Sequence, residues 1–145
     1  MLERYNESAK QAIFAAREAV SRLGAHEINP AHLILGIWDT CPNVINDHLA
    51  SPVASQEFRT VLEAAGRGSQ AIGTSEEVPF TESAWQALRF ASVEAEDLRG
   101  EWVSPEHIVL GVLRDVEDPV SEAAVAAGID ASGVRAIVQK RQAKP

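Results

Sequence analysis

A single cysteine, Cys41, in 145 residues excludes an internal disulfide and a multi-cysteine zinc site. A reducing, cytoplasmic setting is the expectation that follows. Aromatic residues are scarce, so the core must be built mainly from Ala, Leu, Val and Ile. Basic residues are outnumbered, 13 against 21 acidic ones, which leaves a formal charge of −8. That balance argues against a generic nucleic-acid or anionic-membrane binder and suits a basic peptide or protein partner. There is no run of about 18 apolar residues, the length that could span a bilayer. The start, Met1-Leu2-Glu3-Arg4, is charged and lacks a long apolar run, so a targeting signal is not expected there. No stretch alternates apolar and polar residues with a period of two, so strands are not expected. No G-x-x-x-x-G-K-[S/T] sequence occurs, so these residues do not hydrolyse ATP. No cofactor is implied.

What is present is a stretch written twice. Asn29 to Gly36 reads N-P-A-H-L-I-L-G, and Ser104 to Gly111 reads S-P-E-H-I-V-L-G. Each opens with a helix-capping residue followed by Pro, whose missing N–H suits the first helical position. Each continues with His, an apolar run and Gly. They differ most informatively at the third place, Ala31 against Glu106.

The helices around these copies repeat as well. Asn6 caps a first helix whose Ala9, Ala12, Ile13, Ala16, Val20 and Leu23 form an apolar stripe that Gly24 ends. The second helix, from Asn29-Pro30 through Trp38, is apolar nearly all round and should be buried. Pro42 stops it, and a short third helix follows until Pro52, with Val44, Ile45 and Leu49 inward. A fourth, around residues 55–65, uses Phe58, Val61 and Leu62. A Gly-, Ser- and charge-rich linker, 66–79, follows. Thr81 then takes the place of Asn6, Phe80 that of Tyr5, and Phe80 with Trp85 can staple the new helix. Ala84, Ala87, Leu88, Ala91, Ala95 and Leu98 repeat the stripe, and Gly100 ends it. A buried helix starts at Ser104-Pro105, a short one near Pro119, and a last one after Asp130, with Arg135, Lys140 and Arg141 suiting its C-terminal end. The expected fold is all-α. Repeat one (1–65) and repeat two (80–145) each hold about four helices, and the two pack with pseudo-two-fold symmetry as one domain, 1–145.

The doubled pattern, an aromatic, Thr or Asn, E-S-A, then P-x-H, three apolar residues and Gly, resembles the repeat of the Clp N-terminal domain. That domain heads ClpA- and ClpC-type AAA+ unfoldases, and the ClpC motif G-T-E-H-I-L-L-G is the nearer match. The resemblance implies a non-catalytic module that binds client or adaptor proteins for Clp ATPase and protease machinery, in cis or in trans. It also implies a phosphoarginine site in each repeat, with the Glu of E-H holding guanidinium and a Thr at the start of the repeat's first helix helping to hold phosphate. The second repeat keeps both, as Thr81 and Glu106. The first has Asn6 and Ala31, and Ala31 offers a guanidinium nothing. At most one surviving site, Thr81 with Glu106, is therefore expected, and Leu2, Phe80 and Trp102 are candidates for a peripheral binding surface.

Each candidate has a plainer role. Glu106 near a helix start is favourable as an anion there, by about 0.3–1 kcal/mol. Thr81 is a good cap in any case, and Phe80 can simply staple its helix. His32 and His107 near helix starts invite a metal or acid–base reading. Glu106 and His107, however, point about 100° apart on a helix and make no ready chelate, so packed histidines with one nitrogen bonded to backbone are expected and no metal site is assigned. A stand-alone adaptor or decoy with degenerate sites is the alternative within the same class. A small hydrolase using His107 and Glu106 is the enzymatic alternative, against which stands the lack of a nucleophile.

Overall fold

The computed structural model describes residues 3–68 and 77–142, which hold eight helices. They are α1 (Glu7–Arg22), α2 (Pro30–Thr40), α3 (Pro42–Asn46), α4 (Pro52–Gly66), α5 (Glu82–Asp97), α6 (Pro105–Arg114), α7 (Pro119–Ala127) and α8 (Ala131–Gln142). Local chemistry explains their starts. The Asn6 side chain accepts from the Ala9 N–H at 2.8 Å, and Thr81 Oγ1 accepts from the Ala84 N–H at 3.2 Å. Pro opens α2, α3, α4, α6 and α7. One of these corrects the sequence reading. Pro52 does not stop the third helix; it is the first residue of α4, capped by Ser51 Oγ, which accepts from the Ala54 N–H at 3.0 Å.

The ends of α1 and α5 match in form but not in residue. Gly24, at φ 72°, takes the left-handed turn after α1, and the Ala25 N–H reaches back to the Val20 carbonyl at 3.0 Å. After α5 the left-handed residue is Arg99, at φ 60°, and it is the Gly100 N–H that reaches back, to Ala95 at 2.8 Å. Gly100 is therefore one place late for the role assigned to it. A left-handed non-glycine residue costs on the order of 1–2 kcal/mol.

The buried centre is α2 and α6. Every residue from Pro30 to Trp38 and from Pro105 to Leu113 is buried. Glycines let them come close to their neighbours: a Cβ on Gly36 would lie 2.2 Å from the Ala12 carbonyl of α1, and one on Gly111 would lie 2.0 Å from the Ala87 carbonyl of α5. Phe58 and Leu62 of α4 are buried as expected, whereas Val61 stays 38% exposed and faces a shallow groove between α4 and α7. Trp38 is a core residue, stacked on Phe58 with its indole N–H donating to Asn46 Oδ1 at 3.0 Å.

Two short backbone pairings decide what faces what. Tyr5 bridges Val103, and Ile28 bridges Phe80, both in parallel sense; Tyr5 and Phe80 are repeat equivalents, as are Ile28 and Val103. Asn6 N–H donates to Val103 O at 3.0 Å and Val103 N–H to Arg4 O at 2.7 Å. On the other side Ile28 N–H donates to Pro79 O at 2.8 Å and Thr81 N–H to Ile28 O at 2.9 Å. Each repeat's lead-in is thus paired with the loop that precedes the histidine helix of the other repeat. Part of the expected linker, residues 69–76, lies outside the described residues.

Candidate functional site

The crossed pairing sets the start of α1 beside the start of α6. Between them is a cleft of about 320 Å³. Its walls are Asn6 and Ser8 of the first helix start, the Cys41–Val44 corner between α2 and α3, Ser104-Pro105-Glu106 of α6, and Arg141 of α8. Glu106 is only 3% exposed, an unusual state for a carboxylate. It is paired: Arg141 Nη1 donates to Glu106 Oε2. The Arg141 side chain itself is 62% exposed, so the pair joins a dry, fixed anion to a wet, long-stemmed cation.

The pseudo-two-fold mate is a smaller cleft of about 230 Å³, lined by Ser83, Asn29, Pro30, Ala65 and the Asp118-Pro119-Val120 corner. Ser83 stands for Ser8, Pro119 for Pro42 and Asn29 for Ser104. Matching the buried residues Phe58 with Val134 and Leu62 with Val138 places Ala65 where Arg141 stands. This cleft lacks the buried carboxylate and the guanidinium together, because Ala31 and Ala65 replace Glu106 and Arg141. Its own carboxylate, on Asp118, caps α7 by accepting from the Val120 N–H at 2.8 Å.

The expected pair of Thr81 with Glu106 is not brought together. Thr81 is tied to Ile28 beside α2, and its hydroxyl caps α5 and contacts Ser83 Oγ at 3.2 Å. Glu106 shares its cleft with Asn6 and Ser8 instead. Residues of one repeat in sequence belong to opposite clefts in space, because the lead-ins cross. Phe80 is half-buried and packs against Trp85 in a tilted arrangement, 5.3 Å between ring centres, which makes it a staple. Trp102 is 53% exposed and lines a second recess with Glu7 and Lys10 that shares Asn6 with the Glu106 cleft. Leu2 lies outside the described residues.

Both histidines act as caps. The Asn29 N–H donates to His32 Nδ1 at 3.0 Å, and the Ser104 N–H to His107 Nδ1 at 2.9 Å. Each closes a capping box in which His takes the place usual for Glu or Gln. With Nδ1 accepting, the ring proton sits on Nε2. His32 Nε2 donates to the Gly66 carbonyl at 2.8 Å. His107 Nε2 is buried with no hydrogen-bond partner among the described residues. Burial holds both imidazoles below their ordinary pKa, helped at His32 by Arg22; the Gly66 carbonyl opposes it at His32, and Glu94 does so at His107. The folded state therefore binds fewer protons than the unfolded chain once the pH falls through about 6.5. This stabilisation is complete above that pH and is lost as pH drops toward the depressed folded values. His107→Gln keeps an acceptor at the capping place and removes the titration. Its thermal midpoint should fall less steeply than wild type between about pH 7 and pH 5; parallel pH profiles would contradict this.

A second buried carboxylate is absent from the sequence reading. Glu94, 2% exposed, sits on the apolar stripe of α5 and accepts from Arg135 Nε at 2.8 Å and Arg114 Nη2 at 3.0 Å. It ties α5, α6 and α8 together. Its signal was a charged residue three places after Ala91 on an otherwise apolar face.

The family model for the Clp repeat (R) N-terminal domain matches residues 4–127. The chain belongs to that family. The chloroplastic chaperone protein ClpC1 of Arabidopsis thaliana is 30% identical to this Clp N-terminal repeat domain over 137 residues, 93% of this chain and 14% of the relative. The chain thus spans only a small part of the curated relatives it matches, 14% here and 17% of a ClpA homolog of Porphyra purpurea. Among solved structures, the N-terminal domain of Hsp104 from Candida albicans superposes with a TM-score of 0.71 at 15% identity, covering 99% of this chain and 94% of that one. The N-terminal domain of ClpD from Arabidopsis thaliana gives 0.65 at 19% identity, covering 99% and 97%. These likenesses show the all-α fold.

Proposed function

We propose that this Clp N-terminal repeat domain is a non-catalytic module that recognises client proteins or adaptors for a Clp-type ATP-dependent unfoldase or protease. Recognition runs through the Asn6–Glu106 cleft, which takes a phosphorylated arginine side chain. The observation that carries this reading is the Glu106–Arg141 pair, in which a buried carboxylate already holds a guanidinium inside an open cleft. Carboxylate and guanidinium match in charge and planar geometry. The other half of the ligand is a phosphate, and the Asn6 and Ser8 side chains with the start of α1 supply donors for it on the facing wall. This moves the phosphate role from Thr81 to Asn6 and Ser8. The mate cleft has Ala31 where the guanidinium needs a carboxylate, so one site per chain is proposed. The charge of −8 suits basic clients at longer range.

Calorimetry with phosphoarginine tests the reading. A hydrogen bond to a charged group contributes about 1.5–3 kcal/mol, so Glu106→Gln should weaken binding by roughly 10- to 100-fold. Equal binding by wild type and Glu106→Gln would remove Glu106 from the site.

A further inference from the structure

We propose that Arg141 is a built-in competitor for the Glu106 cleft. In the free protein the last turn of α8 is latched onto Glu106, and a client guanidinium binds by displacing it. This rests on the reading of the cleft as a guanidinium site and adds its regulation.

Three observations support the latch. The first is the difference in exposure within the pair. Glu106 is 3% exposed and cannot follow its partner into water, whereas the Arg141 side chain is 62% exposed and can swing out and be hydrated at once. Emptying the site would strand a buried charge, but exchanging one guanidinium for another leaves Glu106 paired throughout. The second is the contrast between the ends of α4 and α8. The end of α4 is fastened by Asn29 Nδ2 to the Ala65 carbonyl at 3.0 Å, by His32 Nε2 to the Gly66 carbonyl at 2.8 Å, and by the Gly68 N–H to the Leu23 carbonyl at 2.9 Å. At the end of α8 the matching histidine, His107, has no hydrogen-bond partner for Nε2 among the described residues. The contact that holds Arg141 to α6 is its side chain on Glu106. The third is that the two members occur together. The first cleft has both Glu106 and Arg141, and its mate has Ala31 and Ala65 in their places.

A competitor lowers apparent affinity by the fraction of time the site is free. A latch closed nine-tenths of the time weakens binding roughly tenfold. The test is phosphoarginine calorimetry on wild type and Arg141→Ala, with hydrogen exchange of the α8 amides as a second readout. Arg141→Ala should bind roughly tenfold more tightly, and Arg141→Lys, a compact cation that lacks the planar fork, should fall between the two. Saturating phosphoarginine should speed exchange in the last turn of α8 in the wild-type protein, a readout that stands even if Arg141→Ala folds poorly. Unchanged or weaker binding by Arg141→Ala while wild type binds would overturn the latch alone. Slower exchange in that turn on ligand binding would also overturn it. No binding by any of the three proteins at millimolar ligand would overturn the guanidinium reading, and the latch with it.

Discussion

Gly111→Ala is expected to lower the thermal midpoint by roughly 10 °C, corresponding to about 3 kcal/mol of lost stability. The reason is backbone against backbone. The added methyl carbon would sit 2.0 Å from the Ala87 carbonyl oxygen and 2.9 Å from the Ala91 nitrogen. Neither can rotate away as a side chain would, so α5 and α6 must separate along their whole contact. Separation opens the layer of Ala87, Leu88 and Ala91 against Ile108 and Leu110, all buried residues whose packing supplies much of this half's core. Gly36→Ala should behave alike, since its methyl would meet the Ala12 carbonyl at 2.2 Å. Gly100→Ala is the control: its nearest neighbour is the amide end of Gln142 at 3.3 Å, a flexible group, and the expected change is within about 0.5 kcal/mol. Thermal unfolding followed by circular dichroism checks the set. A Gly111→Ala protein as stable as wild type would mean the helices are not in the close register described.

The second large effect is an asymmetry around Glu94. Replacing both Arg114 and Arg135 by Met should cost about 3–5 kcal/mol, because a carboxylate buried to 2% exposure loses its guanidinium partners and cannot reach water. Removing the anion instead, by Glu94→Leu, should cost much less. The two arginine side chains are 32% and 40% exposed and can be hydrated where they stand. Leu also suits the apolar stripe it would join. Urea unfolding of both variants checks this. Equal losses, or a larger loss for Glu94→Leu, would show that the network stabilises the fold by attraction rather than by avoiding a stranded charge.

Much of the fold was legible because it is written in local chemistry. Asn6, Thr81, Asn29, Ser104 and the prolines that follow several caps mark helix starts by satisfying or lacking particular N–H groups, and a 3.6-residue period marks the buried faces. The nearly uniform apolarity of α2 and α6 announced their central position. Errors arose where one residue type fits two local roles, or where a tertiary partner sets what local rules cannot. Pro52 reads as a stop because Pro cannot continue a helix, but it opens the next one equally well. Gly100 invites the left-handed turn that Arg99 makes, since a Gly one place away masks a strained neighbour.

The site was half legible for the same reason. Glu106 against Ala31 stood out as the place where the two copies part. Grouping Glu106 with Thr81 followed chain order, whereas the Tyr5–Val103 and Ile28–Phe80 pairings exchange the lead-ins and give Glu106 the company of Asn6 and Ser8. No periodicity carries that information. In sequence Arg141 is a cation suited to a helix end, and its reach to a buried carboxylate 35 positions away becomes visible only once α8 lies against α6.

The central claim is that one cleft per chain, walled by Asn6, Ser8 and Glu106, takes a phosphorylated guanidinium. Titration of isotope-labelled protein with phosphoarginine, followed by amide NMR, tests it most directly. The account predicts saturation at one ligand per chain, with shifts at Asn6, Ser8, Ser104, Glu106 and His107 while Thr81 and Ser83 stay still. Two equivalent sites, or shifts centred on Thr81 and Ser83 with none at Asn6 and Ser8, would contradict it.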